Sequence, residues 1–228
     1  MQFGIFDQND RGPYELAEQY ENRLKLIEFY DTAGFRTYHM SEHHATPLSQ
    51  TPSPSVFLAA VAQRTTRIRL GPLVYVLPAH HPLRLAEEIC MLDQMSGGRL
   101  ELGIGPGISP HEIAYYGVAP EMARPLYLEA SAVILKALTT RTLNFTGRHF
   151  RFEEVPIEMA PVQAPHPPLW CGTSSPEGTR WFAENRVSCV TNASAARARA
   201  ITDRYREEWD KLGGKPSELP FMGMARHI

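Results

Sequence analysis

The chain has 228 residues, 43% of them apolar and 21% charged, with a formal net charge of −2. That profile fits a globular domain with one sizeable core and excludes the basic footprint of a nucleic-acid or anionic-membrane binder. No run reaches the ~18 apolar residues of a membrane span. The opening MQFGIFDQND has no basic n-region and no apolar h-region, so a cytoplasmic protein is expected. Cys90, Cys171 and Cys189 form no CxxC pair, which predicts buried reduced thiols.

Strands and helices alternate along the chain. Phe3-Gly4-Ile5-Phe6 reads as a short first strand. Pro13 suits the first turn of a helix on which Leu16, Tyr20, Leu24 and Ile27 recur at helical spacing before a Gly34 cap. Phe35 to Met40 reads as a second strand. Pro54 to Gln63 reads as a helix with Val56, Phe57, Ala60 and Val61 available for burial. Ile68 to Leu77 predicts a third strand. Pro82 opens a helix carrying Leu85, Ile89 and Leu92, which Gly97-Gly98 end, and Arg99 to Ile104 reads as a fourth strand. Ser109-Pro110-His111-Glu112 has capping-box form, and Arg124 to Leu138 reads as a helix.

The alternation then pauses. Thr142 to Phe152 predicts a hairpin turning at Thr146-Gly147, and Pro156 to Pro168 a proline-rich connector, so that about residues 140–168 form an insertion. Leu169 to Gly172 reads as a fifth strand, Pro176 to Glu184 as a helix, and Val187 to Thr191 as a sixth strand. Ala195 to Leu212 reads as a long polar helix stopped by Gly213-Gly214, and Pro220 to Arg226 as a seventh strand. Such alternation implies a parallel sheet with right-handed crossovers. It fits an α/β (β/α)8 TIM-type barrel lacking its C-terminal strand–helix unit in this chain, and also an open doubly wound sheet. In either, ligands sit at the C-terminal ends of the strands.

Four post-strand segments bear side chains of chemical interest. Ser41-Glu42-His43-His44 follows the second strand; alternation sends the two imidazoles to opposite sides, so one could face the barrel mouth and move a proton near neutral pH. The other reading is a histidine pair bonded to loop carbonyls. His80-His81 follows the third strand, but without an HExxH motif or a cysteine-bearing ligand set no metal is expected. Gly103-Ile104-Gly105-Pro106-Gly107 follows the fourth strand and would let a ligand approach the backbone, or merely turn the chain. Gly172-Thr173-Ser174-Ser175-Pro176 follows the fifth, a hydroxyl-rich helix start suited to a phosphate and equally to an ordinary N-cap.

Taken together the segments resemble the luciferase-like flavin monooxygenases. The most specific stretch is IRLGPLVYVLPAHHPLRLAEEICMLDQMSGGRLELGIGPG, with SEHH, PSPSVFLAAVAQRTTRIRLG and PLWCGTSS in the right order around it. The resemblance implies a (β/α) barrel that takes reduced FMN, or a deazaflavin in one branch, and oxidises a small molecule with dioxygen. His44 matches the family's active-site histidine. Leu73-Val74 fall where a non-proline cis peptide commonly lies beneath the flavin ring, and Gly105 beside that ring. Gly172, Thr173, Ser174 and Ser175 match the phosphate loop, and Arg124 an arginine that approaches the phosphate. Phe6, Glu42, Tyr75 and Tyr115 are expected around the substrate pocket. Pro106 departs from the pattern, standing where the luciferase α subunit has a phosphate-contacting arginine. The resemblance also implies a homodimer through the outer helices, a separate flavin reductase, and an eighth strand beyond Ile228. A deazaflavin hydride-transfer enzyme and a non-catalytic flavin binder are the alternatives.

Overall fold

The computed structural model describes residues 2–226, in two compact units divided between Pro167 and Pro168. In the first, β1 (Gly4–Asp7) leads through α1 (Leu16–Ala33) to β2 (Thr37–Met40), and on through α2 (Pro54–Arg64) to β3 (Arg69–Pro72). These strands pair in that order and all run parallel, as helical crossovers require. Every residue of β2 is buried, the mark of a strand covered on both faces.

Helix α1 ends as expected on Gly34, whose φ of 85° makes a left-handed cap. Its buried face differs from the expected stripe: Leu16 is exposed, and the buried positions are Gln19, Ile27 and Asp31. The polar pair is buried because loops need it. The Gln19 amide donates to Asn9 Oδ1 and the Asp10 carbonyl and accepts the Gly12 N–H. Asp31 accepts the amides of Thr66, Arg67 and Ile68 just ahead of β3. Burial pushes the Asp31 carboxyl up, but those donors outweigh it and hold it below its ordinary value. In α2, Phe57 and Val61 enter the core as expected, whereas Val56 stands 74% exposed and Leu58 takes its place.

The expected third strand is two pieces. Pro72 has no N–H for a continuous ladder; β3 stops there, the Leu73–Val74 peptide is cis, and β4 (Tyr75–Val76) pairs forward with β5 (Leu102–Gly105) rather than back with β2. Leu77–Ala79 then turn as a 3₁₀ segment into α3 (Pro82–Met95), on which Leu85, Ile89 and Leu92 are all buried. A Cβ on Gly71 would lie 1.9 Å from the Glu101 carbonyl oxygen, and one on Gly103 would lie 2.1 Å from that of Pro72. Only glycine permits these backbones to run so close.

Helix α4 (Pro110–Tyr115) and α5 (Ala123–Thr139) lead to a hairpin of β6 (Thr142–Thr146) and β7 (Arg151–Pro156). The turn spans Gly147–Phe150, closed by Gly147 N–H to the Phe150 carbonyl, and the second strand runs to Pro156 rather than Phe152. Glu129 of α5 explains the wider turn, since its carboxylate accepts the amides of Arg148, His149 and Phe150. The proline-rich connector is fastened by Gln163, which bonds both carboxylate oxygens of Asp93 and the Leu100 carbonyl.

The second unit repeats the parallel pattern with β8 (Leu169–Gly172), α6 (Thr179–Glu184), β9 (Ser188–Thr191), α7 (Ala195–Lys211) and β10 (Met222–Met224). The helix expected from Pro176 opens as a 3₁₀ turn over Pro176–Gly178, and the last strand is shorter than the expected Pro220 to Arg226. His227 and Ile228 lie outside the described residues. All three cysteines are buried thiols. Burial pushes the Cys90 thiol up to about 11 and, with Cys171 beside it, the Cys189 thiol up to about 12.

Candidate active site

The loop that leaves β2 passes a carboxylate into the interior. The Glu42 side chain is wholly enclosed. Its Oε1 lies 2.8 Å from His44 Nε2 and 2.8 Å from His80 Nε2, and its Oε2 accepts the Val76 N–H at 3.0 Å. Burial pushes this carboxyl up, but the bonds from His44 and His80, the charge of His80 and the Val76 amide outweigh it and hold it below its ordinary value. Glu42 is therefore ionised at neutral pH and can only accept. Each imidazole must then present Nε2–H to it, and in the neutral form of His44 this places the lone pair on Nδ1. Tyr116 Oη stands 2.8 Å from that nitrogen, its ring edge-on to the imidazole.

A second carboxylate holds the same loop from α4. Ser109 caps this helix by accepting the Glu112 N–H at 3.3 Å, which is half of the expected capping box. The other half is diverted: Glu112 sits 3.2 Å from His43 Nδ1 and accepts the His44 N–H at 2.8 Å. The two histidines turn to different partners, His43 to Glu112 and His44 to Glu42.

Around this core the expected site residues fall in several places. Tyr75 is fully enclosed, bonded through its hydroxyl to Ser55 Oγ at 2.8 Å and edge-on to His80, so it braces the site from behind. Glu42, expected as a pocket wall, is instead the buried anchor of two imidazoles. Tyr115 is 65% exposed, and the tyrosine that reaches His44 is its neighbour Tyr116. Phe6, at the end of β1, is 44% exposed. Leu73 and Val74 flank the cis bond ahead of β4. A Cβ on Gly105 would lie 2.5 Å from Val74 Cγ2, so this glycine lets β5 close on that segment. Arg124 is exposed at the start of α5.

In the second unit, Gly172 closes β8 and Thr173 folds its hydroxyl onto the Ser175 carbonyl at 2.8 Å. Ser174 is exposed. Its amide and hydroxyl, with the Ser175 hydroxyl, make no hydrogen bond among the described residues.

Sequence reasoning overlooked Tyr116, Glu112 and Ser55 as site residues and weighed His80 only as a metal ligand. The signals were weak: Tyr116 differs from Tyr115 only by phase on a short helix, and the partner of a buried carboxylate is a matter of tertiary approach. No group of three or more His, Cys, Asp or Glu among the described residues is arranged to hold a metal. A separate buried carboxylate, Glu101, lies at the opposite ends of the strands, 2.8 Å from both Arg36 and Arg69 and 3.0 Å from His39.

Residues 1–228 match a family model described as luciferase-like monooxygenase. The chain belongs to the luciferase-like monooxygenase family. It is 46% identical over 230 residues to the uncharacterized protein y4wF of Sinorhizobium fredii, covering all of this chain and 67% of that protein. It spans 45% and 51% of the lengths of two further relatives. Among solved structures, the monooxygenase RslO1 from Streptomyces bottropensis superposes with a TM-score of 0.90 at 27% identity, over 98% of this chain and 70% of that one. The oxygenating constituent of 3,6-diketocamphane monooxygenase from Pseudomonas putida, solved with FMN, gives a TM-score of 0.86 at 21% identity over 98% and 66%. The fold of this luciferase-like chain is thus the α/β TIM-type barrel class of its neighbours, and its Glu42–His44 unit follows the C-terminal end of a parallel strand, where that class places its chemistry.

Proposed function

We propose that this protein is a flavin-dependent monooxygenase that uses reduced FMN and dioxygen to oxidise a small organic molecule. The observation that carries the reading is His44, held by its two ring nitrogens between a buried carboxylate and a tyrosine, in a chain of the luciferase-like family. Reduced FMN, when bound, supplies the electrons that activate dioxygen.

The donor set of the serine loop fits a phosphate monoester. Thr173 braces the turn, and the Ser174 N–H with the Ser174 and Ser175 hydroxyls is left to donate to phosphate oxygens. The cis Leu73–Val74 segment and Gly105 are proposed as the backbone surface for the flavin ring. His44 holds and moves a proton at Nδ1, and Glu42 stabilises the ring when it is charged. Phe6 and Tyr115 offer exposed aromatic surface to the organic substrate. A separate reductase would deliver the reduced flavin, and a homodimer is the proposed assembly.

The test is the His44→Ala variant, assayed for FMN affinity by equilibrium titration and for dioxygen consumption with reduced FMN and a set of small apolar ketones and aldehydes. Loss of a general acid–base group costs about 100-fold or more in rate, so consumption coupled to product should fall by about that factor while FMN affinity holds. Undiminished coupled turnover would remove His44 from the chemistry.

A further inference from the structure

The reading above gives Tyr116 no part in proton transfer, yet it is the outer member of the chain of hydrogen bonds that leads from Glu42 through the His44 ring. We infer that Tyr116 is a catalytic residue of the same site, the group through which His44 exchanges its Nδ1 proton with a bound molecule. The inference rests on the monooxygenase reading for its reaction, and on geometry for its direction.

The direction follows from the carboxylate. Glu42 is ionised, so His44 offers Nε2–H inward, and in its neutral form it keeps its lone pair at Nδ1. In that form the Tyr116 hydroxyl, 2.8 Å away, donates to that lone pair. Its single proton is committed inward, so its oxygen lone pairs point away from His44. Half of Tyr116 is exposed, whereas His44 is 7% exposed and both of its ring nitrogens are engaged. A bound molecule therefore meets Tyr116 rather than His44.

Proton transfer balances along this line. The proton released by the bound molecule forms a new O–H bond at Tyr116 as the old one breaks and an N–H bond forms at His44 Nδ1. The imidazolium so made faces the Glu42 carboxylate, which also holds His80. In reverse, the line returns the proton. Burial, and then the charge of Glu42, push the Tyr116 hydroxyl above its ordinary value, which keeps it protonated and able to act in this sense at neutral pH. The nearby Glu112 does not compete, because its carboxylate is engaged by His43 Nδ1 and the His44 amide.

The experiment compares wild type with Tyr116→Phe, which keeps the ring edge-on to His44 and removes only the hydroxyl. Imidazole nitrogen resonances of His44 are recorded on the flavin-free protein, and rates and solvent deuterium isotope effects are measured with reduced FMN and dioxygen. The expected result is a shifted Nδ1 resonance, a fall in kcat of about 10-fold or more with KM little changed, and a larger isotope effect. A merely structural tyrosine would leave kcat and the isotope effect where they were, and that outcome overturns the inference. If wild type consumes no dioxygen with reduced FMN, the monooxygenase reading fails instead, and the Nδ1 resonance still decides whether Tyr116 makes the bond to His44 on which the inference rests.

Discussion

Carboxylates organise this protein one residue at a time. Asp31 starts β3, Glu129 shapes the hairpin turn, Glu112 holds the histidine loop, and Glu42 and Glu101 lie buried at opposite ends of the strands. For the last two, burial pushes the carboxyl up and is outweighed. Bonds from His44 and His80 do this for Glu42, and His39, Arg36 and Arg69 do it for Glu101, so both end below the ordinary 4.5. A carboxyl whose folded value is lowered gives stability that is fully present above the unfolded value and is lost as pH falls through the folded one. The melting temperature should therefore hold at neutral pH and drop once pH falls below 4.5, the ordinary value for both groups. In Glu42→Gln the drop should be shallower, since one of the lowered carboxyls is gone. An acid limb of unchanged steepness in that variant would show that Glu42 does not supply it.

At the scale of elements, the serine loop between β8 and α6 makes a claim that flavin analogues can check. FMN and riboflavin differ only in the phosphate. Charge-assisted hydrogen bonds are each worth about 1.5–3 kcal/mol, so riboflavin should bind far more weakly than FMN. The double variant Ser174→Ala, Ser175→Ala should lower FMN affinity by about 10-fold or more and leave riboflavin affinity nearly untouched. Equal affinities of wild type for the two flavins would rule the loop out as a phosphate site. Most elements were legible in the chain because apolar periodicity and glycine or proline punctuation report burial and turns locally: Gly34, Gly97 and Gly98 all end helices at positive φ. The misses have a common physical cause. The buried Gln19 and Asp31, the wide hairpin turn around Glu129 and the diverted Glu112 are each set by a partner distant in sequence. The site was legible in part for the same reason: His44 stood at the expected strand end, while Tyr116 and the Glu42–His80 bond depend on how β2, β4 and α4 approach one another.

Across the whole molecule, two units of parallel β/α structure with the motifs of the luciferase-like family support an enzyme in which a bound cofactor supplies the redox power and the protein supplies placement and proton control. The most direct measurement is rapid mixing of the protein, equilibrated anaerobically with reduced FMN, against oxygenated buffer, following flavin absorbance. The account predicts a reaction resolved from that of free reduced FMN, with a separate phase before oxidised flavin appears. It also predicts no such behaviour with reduced deazaflavin in place of FMN. Oxidation in a single phase at the rate of free reduced FMN would contradict the proposed chemistry.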